Sequence, residues 1–137
     1  MSIVRISTAT EQEARDVGAR LRRFNFAAIG EYESQPIWLV ARNGQGDVVG
    51  GLNSYVMMQW LSIHVLWVAE EARGAGLGSR LLIDAEARAR ELGAHSACLD
   101  TFEWQAAPFY ARHGYAEFGR LQDFPVGSFR LYMSKKL

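Results

Sequence analysis

Apolar residues near the N-terminus predict one short strand followed by an amphipathic helix. The run 3–6 has the composition of a short strand. Thr10 and Glu13 then have the spacing of a capping box, which pairs backbone N–H groups where a helix begins. The apolar residues that follow recur every three or four positions: Ala14, Val17, Leu21, Phe24 and Ala28. Gly30 is the predicted end of this helix. This helix is therefore predicted to pack through one face.

The next stretch predicts an antiparallel meander. Three apolar runs, 37–42, 48–57 and 60–68, follow one another with only short turns between them. The first turn, 43–47, has the Asn, Gly and Asp composition of a hairpin connection. Short turns join antiparallel neighbours, so these three strands are expected to pair in order.

A second helix is predicted from Leu77 to Leu92, with Gly93 as its end. Its polar face would carry the i,i+4 pairs Asp84/Arg88 and Glu86/Arg90. Its predicted buried face consists of Leu81, Leu82, Ala85, Ala89 and Leu92.

The remaining elements complete a mixed sheet. The strand 95–102 follows the second helix, so a βαβ crossover would place it parallel to the strand 60–68. A third helix, 105–113, and two strands, 115–121 and 128–135, close the chain. The predicted order is β-α-βββ-α-β-α-ββ, an α/β fold with helices on the faces of a mixed sheet. With no repeat and no linker, residues 1–137 form one predicted domain.

Composition fits a small soluble enzyme domain. Of the 137 residues 49% are hydrophobic, and 15 basic residues balance 15 acidic ones, so no net charge favours nucleic acid or an anionic membrane. The single cysteine, Cys98, suits a reducing compartment. No signal peptide and no long apolar segment is recognisable, so a cytoplasmic location is expected. The three histidines have no metal-ligand spacing, so no metal is expected.

The glycine-rich stretch 73–78 comes between a strand and a helix and predicts an anion site. Glycines allow the backbone N–H groups to point one way, and the helix adds unpaired N–H groups and the positive end of its dipole. A Walker A loop needs a Lys directly after its last Gly, where this chain has Ser79. A dinucleotide fingerprint also needs Gly at that position. The stretch 73–78 therefore matches neither the Walker A loop nor the dinucleotide fingerprint well.

Two segments of the chain resemble the GCN5-related N-acetyltransferase (GNAT) family. Arg73, Gly76 and Gly78 match the family's Arg/Gln-x-x-Gly-x-Gly/Ala loop, which binds the acetyl-CoA pyrophosphate. The segment 106–115, Ala-Ala-Pro-Phe-Tyr-Ala-Arg-His-Gly-Tyr, is similar to the family's A-x-x-F-Y-x-x-x-G-F/Y segment. The order of predicted elements resembles the acyltransferase fold over nearly the whole chain.

The resemblance implies where acetyl-CoA would bind. In the family the strands equivalent to 60–68 and 95–102 splay apart, and the pantetheine arm pairs with the exposed backbone as an added strand would. The cofactor contacts implied along the strand are Leu66, Trp67 and Val68. Those in the loop are Arg73, Gly74, Ala75, Gly76, Leu77, Gly78 and Ser79, and those on the far side are Gln105, Phe109 and Tyr110.

The family match makes Tyr110 the candidate acid for the coenzyme A thiolate, and the alternative is a packed aromatic side chain. Many relatives place a Glu on the strand 60–68 as a base, but this chain has no acid there. Alternation with period two would put His64 on one face with Ser62, Leu66 and Val68. His64 is therefore a candidate base, since an unperturbed histidine pKa near 6.5 suits that role. It is equally a candidate for a half-buried structural residue.

Two neighbouring features have open roles. Asp100, on the strand 95–102, is a third-choice base or substrate anchor, or else a hydrogen-bonded carboxylate at a strand end. Phe102 and Trp104 follow the carboxyl end of a parallel strand, where ligand sites gather, and an aromatic wall there would favour a substrate with an apolar or flat portion.

Together these features predict an N-acetyltransferase that moves an acetyl group from acetyl-CoA directly to a primary amine of a small molecule, or to an exposed amino group. The alternative is a silent acyl-CoA sensor of the same fold. No nucleic acid or membrane partner is expected. The family also allows a homodimer, for which the strand 128–135 would supply an edge.

Overall fold

Alternating apolar residues build one six-stranded mixed sheet in the computed structural model, which describes residues 2–137. The sheet order is β1-β2-β3-β4-β6-β5, and only β3 and β4 are parallel. The elements are α1 (Glu11–Ile29), β1 (Gln35–Arg42), β2 (Val48–Met57), β3 (Trp60–Val68), α2 (Leu77–Glu91), β4 (Ser96–Phe102), α3 (Ala107–Arg112), β5 (Ala116–Gln122) and β6 (Phe129–Lys136). The mixed α/β class and the crossover from β3 to β4 are confirmed.

The described chain divides into two units, one ending at Tyr32 and the other covering Glu33–Leu137. In the first unit, the capping box of α1 is confirmed. The Thr10 N–H donates to Glu13 Oε1 at 2.9 Å, and the Glu13 N–H donates to Thr10 Oγ1 at 3.1 Å. Gly30 ends the helix with a φ of 86°.

Two predictions for this first unit are wrong. Residues 3–6 form no strand, because no neighbouring strand in the described residues pairs with them. The stripe of α1 is not buried: Val17, Leu21 and Phe24 are exposed, and no residue of the helix is buried. The missing strand leaves this unit with no second regular element against which the stripe could pack.

In the second unit, α2 packs on the β1–β3 part of the sheet and forms the centre of the core. Leu82, Leu52 and Leu61 are fully enclosed there. The predicted buried face of α2 is confirmed at Leu81, Leu82, Ala85 and Ala89. Leu92 is exposed instead, because it lies beyond the last turn of α2 as its C-cap residue.

The predicted surface pair Glu86/Arg90 is also wrong, because Glu86 lies in the core with 3% of its surface exposed. Its carboxylate accepts two hydrogen bonds of 3.0 Å from Lys135 Nζ and one of 2.7 Å from the Tyr115 hydroxyl. Burial and the bonded, charged Glu86 raise the pKa of Tyr115, so it remains a donor. This group connects α2 to β6 and to the chain entering β5. The other predicted pair, Asp84/Arg88, is confirmed on the surface.

The C-terminal strand is not at an edge of the sheet. β6 pairs with β4 on one side and with β5 on the other, so the edge strands are β1 and β5. The prediction that the strand 128–135 offers a free edge for a homodimer is therefore wrong, since its backbone groups are already used within the sheet.

Lys135→Met tests the buried ion pair. The substitution keeps most of the side-chain volume and leaves the Glu86 carboxylate buried without its cation, so we expect the free energy of unfolding to fall by about 3 kcal/mol. Asp84→Ala is the matched control, since it breaks an exposed pair on the same helix and should change stability by less than about 0.5 kcal/mol. Urea denaturation measures both, and equal stabilities would contradict the assigned role of Lys135.

Candidate active site

The two parallel strands of the sheet separate half-way along their length. β3 and β4 pair over only four residues each, from Trp60 with Ser96 to Ile63 with Leu99. Beyond this point the facing backbone groups of the two strands are not paired with each other. The resulting gap is open to a ligand that can supply hydrogen bonds of the kind a strand supplies.

A bulge at His64 marks the point of separation. Asn53 of β2 pairs with Val65, while the next residue, Ser54, pairs with Ile63, so His64 is an extra residue without a partner in β2. The predicted single face for Ser62, His64, Leu66 and Val68 is therefore wrong. The bulge reverses the alternation, and the pairing places Leu66 on the same face as Ile63.

The loop after β3 presents backbone N–H groups at the start of α2. Gly74 and Gly76 have φ values of 85° and 77°, which glycine adopts without strain, and Gly76 is the N-cap of α2. The first helical hydrogen bond here runs from the Arg80 N–H to the Gly76 carbonyl at 3.1 Å. The N–H groups of residues 77–79 precede that bond and have no partner within the helix, which is the arrangement that binds anions.

Arg73 holds this loop against the end of β3. Its Nε donates to the Val68 carbonyl at 3.0 Å, and its backbone N–H donates to the Glu70 carbonyl at 3.2 Å. Arg73 also lines two neighbouring clefts, one beside the glycine-rich loop and one beside Leu66, Trp67 and Val68. The guanidinium therefore brings positive charge to the place where the α2 amides are exposed.

Three adjoining clefts run from this loop to the gap between β3 and β4. The first has a volume of about 360 Å³ and is lined by Val68, Ala72, Arg73, Gly74, Gly76, Leu77, Gly78, Ser79, Phe109 and Arg112. The second, of about 430 Å³, is lined by Leu66, Trp67, Val68, Arg73, Gly78, Gln105, Ala106, Phe109 and Tyr110. The third, of about 230 Å³, is lined by His64, Val65, Leu66, Asp100, Thr101, Gln105, Ala106 and Tyr110. Neighbouring clefts share several residues, so we call them together the groove.

The groove brings together the residues predicted to contact a cofactor, with one exception. Ala75 lines a different cavity of about 470 Å³, beside Val40, Arg42 and Arg80. The reason is local: the glycines on either side of Ala75 turn the backbone, so the side chain of the residue between them faces away from the groove. Ala75 could contribute its backbone to an anion site, but its methyl group does not line the groove.

Gln105 is fixed at the junction of the second and third clefts, just before α3. Its Oε1 accepts hydrogen bonds from the Phe102 N–H at 2.9 Å and from Thr101 Oγ1 at 3.1 Å. Because a backbone N–H can only donate, this contact settles which end of the side-chain amide is the oxygen. The amide NH₂ of Gln105 is thus left as a hydrogen-bond donor for the groove.

Tyr110 of α3 lies at the same junction and is nearly buried, with 7% of its surface exposed. Burial, and then the negative charge of Asp100, raise the pKa of its phenol to about 12. The hydroxyl is therefore protonated throughout the neutral range. On the preceding residue, the Phe109 ring lies 3.5 Å from the position that a Cβ on Gly78 would occupy, which is an ordinary van der Waals distance, so α3 packs beside the start of α2.

His64 and Asp100 complete the third cleft with Tyr110. The His64 ring is exposed and stacks on Tyr55, with ring centroids 5.0 Å apart. Asp100 Oδ2 accepts a hydrogen bond of 2.7 Å from Arg130 Nε, and a terminal nitrogen of the same guanidinium lies 2.7 Å from this oxygen in an ion pair. A histidine, a protonated phenol and an ion-paired carboxylate therefore line one small cleft at the end of the groove.

Comparison with known proteins identifies this arrangement. The family model of the acetyltransferase (GNAT) family matches residues 3–115. This chain belongs to the GNAT family of acetyltransferases. The strand separation, the glycine loop and the position of Tyr110 described above are thus features of a GNAT chain.

Individual relatives match most of the chain, and two of them match nearly all of it. The blasticidin-S acetyltransferase of Streptomyces morookaense is 36% identical over 93% of this chain and 92% of its own length. The crystal structure of an acetyltransferase from Bacillus cereus has a TM-score of 0.91 with 32% identity, and 98% of each chain is covered. A nourseothricin acetyltransferase structure has a TM-score of 0.67 with 30% identity, covering 74% of this chain and 65% of that one.

Sequence reasoning missed Arg130 in this GNAT chain, because only the pairing of β4 with β6 brings it next to Asp100. It also missed the contact of 2.8 Å between Ser79 Oγ and His113 Nε2, which joins the first turn of α2 to the end of α3.

Within residues 2–137, no three His, Cys, Asp or Glu side chains converge as metal ligands, and no helix is long and apolar enough to cross a membrane.

Proposed function

We propose that this GNAT chain transfers the acetyl group of acetyl-CoA directly to a primary amine of a small molecule. The observation that carries the proposal is the continuity of the groove. It begins at the unpaired amides of residues 77–79 and ends where Tyr110 and His64 line one cleft. A phosphate-binding end and a reactive end are thereby joined by an open strand edge.

In this proposal, the loop 73–79 holds the coenzyme A pyrophosphate through backbone N–H groups, with added charge from Arg73. The pantetheine arm lies along Leu66, Trp67 and Val68, where β3 has left its pairing with β4. Gln105 and Phe109 form the opposite side, and Gln105 contributes its amide NH₂. This path ends with the thioester beside Tyr110.

The chemistry then needs a neutral amine, a polarised carbonyl and a proton for sulfur. His64 takes a proton from the acceptor ammonium, and the amine nitrogen attacks the thioester carbon. The backbone N–H near Val68 stabilises the oxyanion as the N–C bond forms. When the C–S bond breaks, the electron pair leaves on sulfur, and the Tyr110 phenol donates its proton to that thiolate. The new amide nitrogen still carries one proton too many and gives it to the phenolate, which restores Tyr110, while His64 passes its proton to water. The pKa of about 12 keeps this phenol protonated for the step.

A small-molecule acceptor is supported by two relatives. Blasticidin-S acetyltransferase and nourseothricin acetyltransferase both carry the name of an antibiotic. The first matches this chain over almost its entire length. The alternative of a silent acyl-CoA sensor draws on one observation: β3 carries no acidic side chain to serve as base.

Calorimetry with acetyl-CoA and coenzyme A, followed by thiol release on mixing with amines that include blasticidin S, tests the proposal. We expect micromolar binding and release of free thiol with at least one amine. No binding at millimolar cofactor would contradict the acetyltransferase proposal. Tight binding without turnover on any amine would favour the sensor.

Tyr110→Phe should separate acid catalysis from cofactor binding. Loss of the proton donor is expected to lower kcat by about 10²- to 10⁴-fold. The acetyl-CoA Kd should stay within about twofold, because the ring remains in place. Tyr115→Phe is the control, since it also removes a buried hydroxyl but lies outside the groove. Equal kcat values for the two variants would contradict the role of Tyr110.

His64→Gln tests the base. We expect kcat to fall by about 100-fold, because the amine loses its proton acceptor. The control is His95→Gln, which alters a histidine bonded to Ser96 and outside the groove. Steady-state rates at saturating acetyl-CoA measure both variants, and a His64 variant as fast as the His95 variant would remove His64 from the mechanism.

Gly76→Ala tests the anion site against a matched turn. Gly76 and Gly46 have φ values of 77° and 85°, and a Cβ at either position meets nothing within 4 Å. Each alanine variant should therefore lose about 1 kcal/mol of stability through left-handed strain. Only Gly76→Ala displaces the amides at the start of α2, so only it should weaken acetyl-CoA binding, by about tenfold. Calorimetry and urea denaturation measure the two effects, and equal affinities would contradict this anion site.

A further inference from the structure

Aromatic side chains surround a single guanidinium at the carboxyl end of β4. The Arg130 guanidinium lies 5.3 Å from the ring centroid of Phe102, 4.9 Å from that of Phe124 and 5.4 Å from that of Tyr132. The Trp104 ring stacks on Phe102 at 4.9 Å, with an angle of 13° between the planes. Arg130 therefore forms one packed group with these rings and, through its ion pair, with Asp100.

The outer members of this group form an exposed aromatic surface. Trp104 is 63% exposed and Phe124 is 42% exposed, and both contact Phe102. We call Phe102, Trp104 and Phe124 the aromatic platform. Large aromatic side chains that stack in water rather than in a core offer a flat apolar surface to another ring.

Asp100 connects the platform to the reactive cleft. Its hydrogen bond and its ion-pair contact with Arg130 both involve Oδ2, and its side chain is about one-third exposed (32%). A carboxylate has acceptor sites on both oxygens, so Oδ1 can accept a hydrogen bond from an ammonium group in the cleft that Asp100 shares with Tyr110 and His64. Arg130 acts as a positioning residue, because it fixes this carboxylate beside the platform.

We infer that the acceptor is an amine attached to a flat aromatic or heteroaromatic group. The ammonium group binds at Asp100 in the third cleft, next to His64, and the ring packs on the aromatic platform. One guanidinium contacts both the carboxylate and the platform, which sets the two subsites side by side. This inference rests on the proposed function for the reaction, but the binding of the amine can be measured without turnover.

Tryptamine and n-hexylamine are suitable probes, because both are primary alkylamines and only tryptamine carries a flat ring. Calorimetry on the protein saturated with coenzyme A measures their affinities without reaction. We expect tryptamine to bind about tenfold more tightly than n-hexylamine. Equal affinities, or no binding of tryptamine at millimolar concentration, would overturn the inference.

Trp104→Ala and Asp100→Asn then test the two subsites separately. Trp104→Ala should weaken tryptamine binding about tenfold and leave n-hexylamine binding within about twofold. Its control is Trp38→Ala, which removes a tryptophan that is 74% exposed on β1 and should change neither affinity. Asp100→Asn should weaken both amines about tenfold, since both present the same ammonium group. Equal losses of affinity for the two amines in Trp104→Ala would overturn the inference. So would an Asp100→Asn variant that binds both amines as tightly as the unmodified protein.

The same measurements distinguish this inference from the proposed function. If coenzyme A does not bind, the acetyltransferase proposal fails, and titration of tryptamine into the free protein still decides the amine site. If coenzyme A binds and thiol is released with n-hexylamine as readily as with tryptamine, the transfer reaction stands and the platform is not an acceptor site. The predicted pattern is a lower KM for tryptamine that rises in Trp104→Ala, with the KM for acetyl-CoA unchanged.

Discussion

The separation of β3 from β4 is the constraint on which the rest of the site depends. Two parallel strands that pair over their whole length leave no backbone free for a ligand, but here the pairing stops at Ile63 and Leu99. The bulge at His64 lets β3 remain paired with β2 while it diverges from β4. The groove opens in that gap, and the end lined by His64 and Tyr110 lies beside the bulge, so one distortion of the sheet opens the groove and places His64 at its end.

The start of α2 must keep a fixed position relative to this gap, because its amides form the other end of the groove. Apolar packing of α2 against β1–β3 supplies most of the restraint. The buried Glu86–Lys135–Tyr115 group adds a second connection, to β6 and the chain entering β5. The Ser79–His113 contact joins the first turn of α2 to α3, the helix that carries Tyr110. Both ends of the groove are therefore held by contacts far apart in sequence.

Local patterns predicted most elements of the second unit, because the signals for strands, turns and helix ends lie within a few residues. The turn at 43–47 and the glycine-rich loop at 73–78 are examples in which glycine fixes the backbone locally. The errors share a different origin. The strand at 3–6, the burial of the α1 stripe and the placement of β6 at an edge each depended on which distant segment becomes a neighbour, and spacing along the chain carries no such information.

The sequence by itself determined the order of the helices and strands after Thr10 and the family to which the chain belongs, because each follows from local composition and spacing. Only the tertiary structure decided how β3 leaves β4, which reversed the expected alternation at Leu66, and where Glu86 and Asp100 find their cations. Those partners, Lys135 and Arg130, lie 49 and 30 residues away. A charge is exposed or buried according to what the sheet pairing brings beside it, and that pairing is a property of the whole fold.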